Sequence, residues 1–228
     1  MLQMLASSFF APRVSRGGQS LHNGKRAEET LSLRLRSLHY KGQQLQVGAS
    51  AGGGHGVDVP TVINGITVGF EVGTRGKFEG GGCTLRAIDG QLVIPDSKPL
   101  LRDLMGDYKP WDGVVPPLTQ ICPDDRKPVP RDSVANYYRA KGAHYISLEG
   151  RGVYHTGEDV LNLGVPLFAA EGIFLRTRVT KHMKKGKPTD YTTALVFPPS
   201  YLPTSPYSFN GPLPPGFTEA ESPLQRMA

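Results

Sequence analysis

The chain has 228 residues, a hydrophobic content of 38% and a formal net charge of +6. This length favours a single domain with extensions, and no apolar run approaches the roughly 20 residues that a membrane span needs. Cys83 and Cys122 have neither metal-ligand spacing nor a disulfide pattern, which excludes a disulfide scaffold and favours a reducing, cytoplasmic location. The positive charge favours a polyanionic partner such as nucleic acid.

The first 22 residues contain basic but no acidic residues. This composition is typical of a flexible N-terminal arm, and an organellar transit peptide has it too. A helix is predicted over residues 25–39, because Leu31, Leu35 and Leu38 lie at helical spacing.

A β-hairpin that carries two acids is predicted next. Asn64-Gly65 is a strong signal for a two-residue type I′ turn, because both central residues of that turn need positive φ. Residues equidistant from the turn then face each other, so that Asp58 lies opposite Glu71 with Cβ atoms roughly 5 Å apart. Like charges in this position repel, and a divalent cation would compensate, since hard oxygen ligands suit Mg²⁺. The alternative is an exposed hairpin whose acids point into water. Pro60 argues against a central position for the first strand.

This layout resembles the core of the PD-(D/E)XK nucleases, which have the restriction-endonuclease-like fold. In that family an Asp near the start of one strand and an acid on the next strand hold the metal, and the second strand has the pattern acid-any-Lys. Asp58 matches the first acid, preceded by Val57 rather than Pro, and Glu71 matches the second. The resemblance implies that these two residues bind Mg²⁺ or Mn²⁺.

The sequence departs from the family at the motif lysine, whose position holds Gly73. We predict that Arg75 or Lys77 has taken over its role. Lys77 is favoured because its ammonium matches the original group. Lys77→Ala or Arg75→Ala should then lower cleavage, and Gly73→Lys should restore part of the lost rate. Without such a replacement the chain would be a weak or inactive nuclease.

The second half of the chain is predicted to contain a helix and several strands. Residues 106–131 are rich in proline and should be mostly irregular. A helix over 132–141 closed by Gly142, and strands over 144–148, 173–180 and 191–197, follow from capping and alternation.

A basic segment lies on and beyond the strand at 173–180, and no acid falls within it. Such a segment is either solvated surface or a set of phosphate contacts. We predict phosphate contacts from its six cations, which are Arg176, Arg178, Lys181, Lys184, Lys185 and Lys187.

The predicted architecture is an α/β domain, a mixed central β-sheet flanked by helices. We divide the chain into the flexible arm 1–22, a single nuclease-like domain 23–197, and a Pro-rich C-terminal tail 198–228 with little structure of its own.

Two functions are compatible with these features. The first is a metal-dependent endonuclease that hydrolyses phosphodiester bonds in DNA, with Asp58 and Glu71 as metal ligands and Arg75 and Lys77 as catalytic cations. The second is a nucleic-acid-binding protein without catalysis, such as a virus- or phage-type structural or accessory protein. A cutter of palindromic sites would be expected to act as a homodimer by symmetry matching.

Overall fold

The computed structural model describes residues 16–49, 56–73, 79–88, 91–96, 98, 100, 102, 125–168, 174–180, 190–196 and 202–220. In these ranges the chain is a mixed α/β structure with a mixed-orientation sheet. Its main helices are α1 (Arg16–Arg36) and α2 (Arg131–Lys141). No helix in the described ranges has both the length and the apolar character needed to cross a membrane. The strands are β1 (Leu38–Tyr40), β2 (Gln43–Gln44), β3 (Gln46–Val47), β4 (Val59–Ile63), β5 (Ile66–Gly73), β6 (Glu79–Ile88), β7 (Gln91–Val93), β8 (Asp125–Pro128), β9 (Tyr145–Leu148), β10 (Gly152–His155), β11 (Phe174–Thr180), β12 (Asp190–Val196) and β13 (Phe217–Glu219).

The predicted hairpin lies at the centre of a five-stranded sheet with the order β10-β9-β5-β4-β3. Asn64 and Gly65 join β4 to β5 with φ angles of 51° and 76°, the positive values that a type I′ turn requires. β5 then pairs in parallel with β9, and α2 immediately precedes β9 in the chain. The mixed sheet and the helix predicted over 132–141 are both confirmed.

Pro60 is accommodated although β4 has a neighbour on each side. It lies opposite Gly69 of β5, and its carbonyl accepts the N–H of Gly48 at 2.8 Å. In an antiparallel pair a residue's N–H and C=O face the same neighbour. The side of Pro60 that lacks an N–H therefore faces the end of β3, whose pairing with β4 begins at Thr61. No hydrogen bond between β4 and β5 is lost.

The two faces of this sheet have different coverings. Phe70 and Tyr145 stack with centroids 5.6 Å apart and belong to the main hydrophobic core, which also contains Leu35 of α1. Successive strand residues point to opposite faces. Glu71 therefore lies on the other face, where Lys141 of α2 reaches it.

A second five-stranded sheet has the order β7-β6-β12-β11-β8. β8 falls within the proline-rich stretch 106–131, which was predicted to be mostly irregular, and residues 106–124 of that stretch lie outside the described ranges. Pro128 lies opposite Phe174 on this edge strand, a place where a residue without an N–H is tolerated.

The N-terminal helix differs from its predicted bounds. α1 begins at Arg16, inside the segment predicted as an arm, while residues 1–15 lie outside the described ranges. Leu31 and Leu35 are buried on α1, whereas Leu38 is buried from β1. The predicted end at residue 39 was wrong because β13, a distant partner in sequence, pairs with β1 and extends the backbone there.

The C-terminal strap (residues 202–220) contradicts the prediction that the Pro-rich tail has little structure. Phe209 and Phe217 are 1% and 6% exposed and belong to the main core. The Phe209 carbonyl accepts a hydrogen bond from Nε of Arg34 at 2.6 Å. Prolines limit the regular structure of the strap to β13, but its apolar residues still fill the core.

Candidate functional site

Asp58 and Glu71 meet where the β4–β5 hairpin opens. The register pairs Ile63 with Ile66 and Val59 with Phe70, which confirms the predicted pairing up to the residue next to Asp58. The backbone N–H of Asp58 donates to Glu71 Oε1 at 3.3 Å, and Oδ2 of Asp58 accepts the N–H of Val72 at 2.9 Å. The two carboxylates are thus held side by side by the backbone of the opposite strand.

The compensating charge comes from the last turn of α2. Lys141 Nζ lies 2.5 Å from Glu71 Oε2. Gly142 ends the helix in the left-handed conformation at φ 78°, and its N–H satisfies carbonyls of the last turn. A cation here is also favoured by the helix dipole. We expected a metal ion to relieve the repulsion between the acids, and the chain's own ammonium already does so for Glu71.

Burial decides the electrostatics of this cluster. The side chains of Glu71 and Lys141 are only 14% and 17% exposed. Burial raises the pKa of Glu71, the ammonium of Lys141 lowers it, and the charge of Asp58 raises it again, so the net shift is upward. Burial also lowers the pKa of Lys141, but its attraction and hydrogen bond to Glu71 outweigh this and raise it overall. Lys141 is therefore held in its protonated form, and the pKa of Glu71 stays raised beside this cation because the carboxyl is buried.

A buried tyrosine lies close enough to the acids to feel their charges. Tyr138, one turn before Lys141 on α2, is 5% exposed. Burial, followed by the charge of Glu71, raises the pKa of its hydroxyl well above the ordinary value. A buried environment of this kind strengthens electrostatic interactions within it.

The position of the family lysine is closed to side chains. A Cβ on Gly73 would overlap Cδ2 of Leu148, the residue that faces it on β9 and is 6% exposed. Gly73→Lys would have to displace a buried leucine. The effect of Gly73→Lys on cleavage stays a prediction, and the overlap with Leu148 shows what the substitution would disturb.

The other predicted cations are not brought to this site by the described structure. Arg75 and Lys77 lie outside the described ranges, so their catalytic role stays a prediction. Arg176 and Arg178 lie on β11, in the second sheet rather than in the sheet of Asp58. Lys181, Lys184, Lys185 and Lys187 also fall outside the described ranges.

Sequence reasoning missed two cations. Lys141 was placed in the last turn of a predicted helix, but nothing local shows which strand that helix packs against. That packing depends on the parallel pairing of β5 with β9. Because α2 immediately precedes β9 in the chain, this pairing places the end of α2 beside β5. Arg126 on β8 was also missed, and the backbone register sets it opposite Arg176.

The donor set suits a small hard cation that keeps part of its water. Among the described residues no group of three or more His, Cys, Asp or Glu side chains is arranged to hold a metal. Mg²⁺ is commonly bound through one or two carboxylates together with substrate phosphate oxygens. Asp58 and Glu71 fit that number and type of ligand.

Comparisons with known proteins give no relative: no family model, curated protein or solved structure matches the chain.

Proposed function

We propose that this protein is a nuclease with a restriction-endonuclease-like fold, which uses Mg²⁺ or Mn²⁺ to hydrolyse phosphodiester bonds in DNA. One observation carries the proposal: a lysine ammonium lies 2.5 Å from the second of two adjacent carboxylates. Two acids and a lysine are the groups that the family pattern combines. In this chain the lysine, Lys141, comes from a helix instead of from the strand of Glu71.

Each residue of the cluster has a task in this proposal. Asp58 and Glu71 hold the metal, and the hydrogen bond from the N–H of Val72 fixes the carboxylate of Asp58. The bound metal would lower the pKa of a water and offset charge on the phosphate. Lys141 supplies a positive charge for a phosphate oxygen, and the low exposure of its side chain keeps that interaction strong.

Binding of the nucleic acid is assigned to the basic segment that begins on β11. Phosphates accept contacts from lysine and arginine without regard to sequence. This role is proposed for the six predicted cations and extends to Arg126, whose backbone lies beside Arg176 in the sheet.

A second candidate is a nucleic-acid-binding protein without catalysis. It is favoured by the fact that Lys141 neutralises Glu71, so that this acid is satisfied without a metal. In that case the cluster only attaches α2 to β5.

Cleavage of supercoiled plasmid and linear DNA, in Mg²⁺, Mn²⁺ or EDTA, tests the proposal. We expect cleavage with metal and none with EDTA. The variants Asp58→Asn, Glu71→Gln and Lys141→Met should each lower the rate by about a hundredfold or more, since the first two remove a charged ligand of the metal and the third removes the cation for the phosphate oxygen.

The matched control is Arg139→Met, which removes an exposed cation of α2 whose guanidinium contacts Asn136. It should cleave at the wild-type rate. DNA binding without cleavage under any metal would establish the second candidate, and cleavage that survives all three site substitutions would place the active site elsewhere.

A further inference from the structure

The acids of the candidate site are already engaged by the protein. Glu71 Oε2 is in contact with Lys141 Nζ, and Glu71 Oε1 accepts the backbone N–H of Asp58 at the long distance of 3.3 Å. An oxygen that binds an ammonium at 2.5 Å has no room to approach a metal ion along the same direction. A metal that uses Glu71 fully must therefore move Lys141.

The charges show where the ammonium would go. Asp58 and Glu71 together carry two negative charges, which a divalent cation balances alone. Lys141 then becomes an uncompensated positive charge with a side chain only 17% exposed. A buried, unpaired charge is costly. An anion at the same place removes that cost, and a phosphodiester is the anion that the proposed reaction brings there.

We infer that Lys141 is a built-in competitor of the metal: a divalent cation displaces it from Glu71, and a phosphodiester accepts the displaced ammonium, so metal and nucleic acid bind cooperatively. This inference rests on the proposed function and adds its regulation. The site stays closed by an internal ion pair until metal and substrate are both present. Because coupling is reciprocal, DNA must raise the metal affinity by the same factor by which metal raises the DNA affinity.

The test measures Mn²⁺ binding without any cleavage step. Free Mn²⁺ is followed by its paramagnetic resonance signal, with and without a duplex oligonucleotide that carries uncleavable phosphorothioate linkages. For the wild type we expect the duplex to tighten Mn²⁺ binding by about tenfold or more. Lys141→Met should bind Mn²⁺ alone about tenfold more tightly than the wild type, and the duplex should then add little.

Two control variants separate the specific role of Lys141 from the general effect of removing a cation from α2. Arg139→Met removes a nearby exposed cation and should behave as the wild type in both titrations. Lys141→Arg keeps the positive charge and should retain the coupling. The wild-type titration with and without duplex needs no variant, so an unchanged Mn²⁺ affinity would overturn the inferred coupling even if Lys141→Met fails to fold.

The outcomes separate the two proposals. If Mn²⁺ binds, but Lys141→Met binds it no more tightly and the duplex has no effect on the wild type, competition is wrong while the metal site stands. If neither the wild type with duplex nor folded Lys141→Met binds Mn²⁺, the metal site is absent and the proposed function fails with it.

Discussion

Two of the carboxylate–cation pairs among the described residues have the same contact distance and differ in their exposure and geometry. Lys141 with Glu71 and Arg34 with Glu219 both have a nitrogen–oxygen distance of 2.5 Å. In the first pair the side chains are 17% and 14% exposed, and in the second 23% and 62%. The second pair joins α1 to the C-terminal strap and is bidentate, which is the geometry that favours such pairs at surfaces.

The pKa shifts of the two carboxyls have opposite signs. The hydrogen bond from Arg34 holds the pKa of Glu219 below its ordinary value. Burial raises the pKa of Glu71 although a lysine touches it. The same contact therefore outweighs the cost of desolvation in the exposed pair and does not outweigh it in the buried pair.

The largest effect is expected from removing the cation of the buried pair. Lys141→Met leaves Glu71 without its partner, and breaking a buried pair from one side costs about 3 kcal/mol of unfolding free energy. Urea denaturation at neutral pH measures this value. Arg139→Met, which removes an exposed cation of α2, should stay within about 0.5 kcal/mol of the wild type.

The double variant Glu71→Leu with Lys141→Met sharpens that comparison. Replacing both members of a buried pair by apolar groups is often nearly neutral. We expect the double variant to regain most of the lost stability, which gives a coupling free energy of more than about 1 kcal/mol in a double-mutant cycle. Additive losses would mean that the pair does not act as a unit.

The hairpin and α2 were predictable because their signals are local. Asn64-Gly65 defines a turn, the turn defines the register, and the register places Asp58 beside Glu71. Gly142 likewise marks the end of α2. These are short-range consequences of backbone conformation, and the sequence contains them in full.

Lys141 as the partner of Glu71 could not be predicted, because that contact depends on the parallel pairing of β5 with β9. The strap was missed for a similar reason. The proline content of the strap predicts that helices and long strands are disfavoured there, but it does not predict that Phe209 is buried in the core. Contacts between distant segments are set by packing, which local patterns do not specify.

The next effect is a difference in pH dependence between the two acids. Glu71 has a raised pKa in the folded state, so between 4.5 and that raised value the folded protein binds the extra proton. Its contribution to stability therefore falls as pH rises through this window. Glu219 has a lowered pKa, so its contribution is present above 4.5 and is lost as pH falls through the lowered value.

Difference curves of unfolding free energy against pH measure both effects. The curve of wild type minus Glu71→Gln should slope downward with rising pH above 4.5, and that of wild type minus Glu219→Gln should slope upward below it. Curves of the same sign would mean that burial does not distinguish the pairs.

The smallest effect is expected at Glu219 itself at neutral pH. Exposed ion pairs add little because water and salt screen them, so Glu219→Gln should leave the thermal midpoint nearly unchanged. Arg34→Met should lower the midpoint more, because Nε of Arg34 also donates to the half-buried carbonyl of Phe209 at 2.6 Å. Leaving that carbonyl unpaired costs about 1 kcal/mol or more.

Thermal unfolding at low and high salt separates the two contributions. The Glu219→Gln difference should vanish in high salt, while the Arg34→Met difference should persist. If both substitutions have equal and salt-sensitive effects, the charge rather than the hydrogen bond holds the strap on α1.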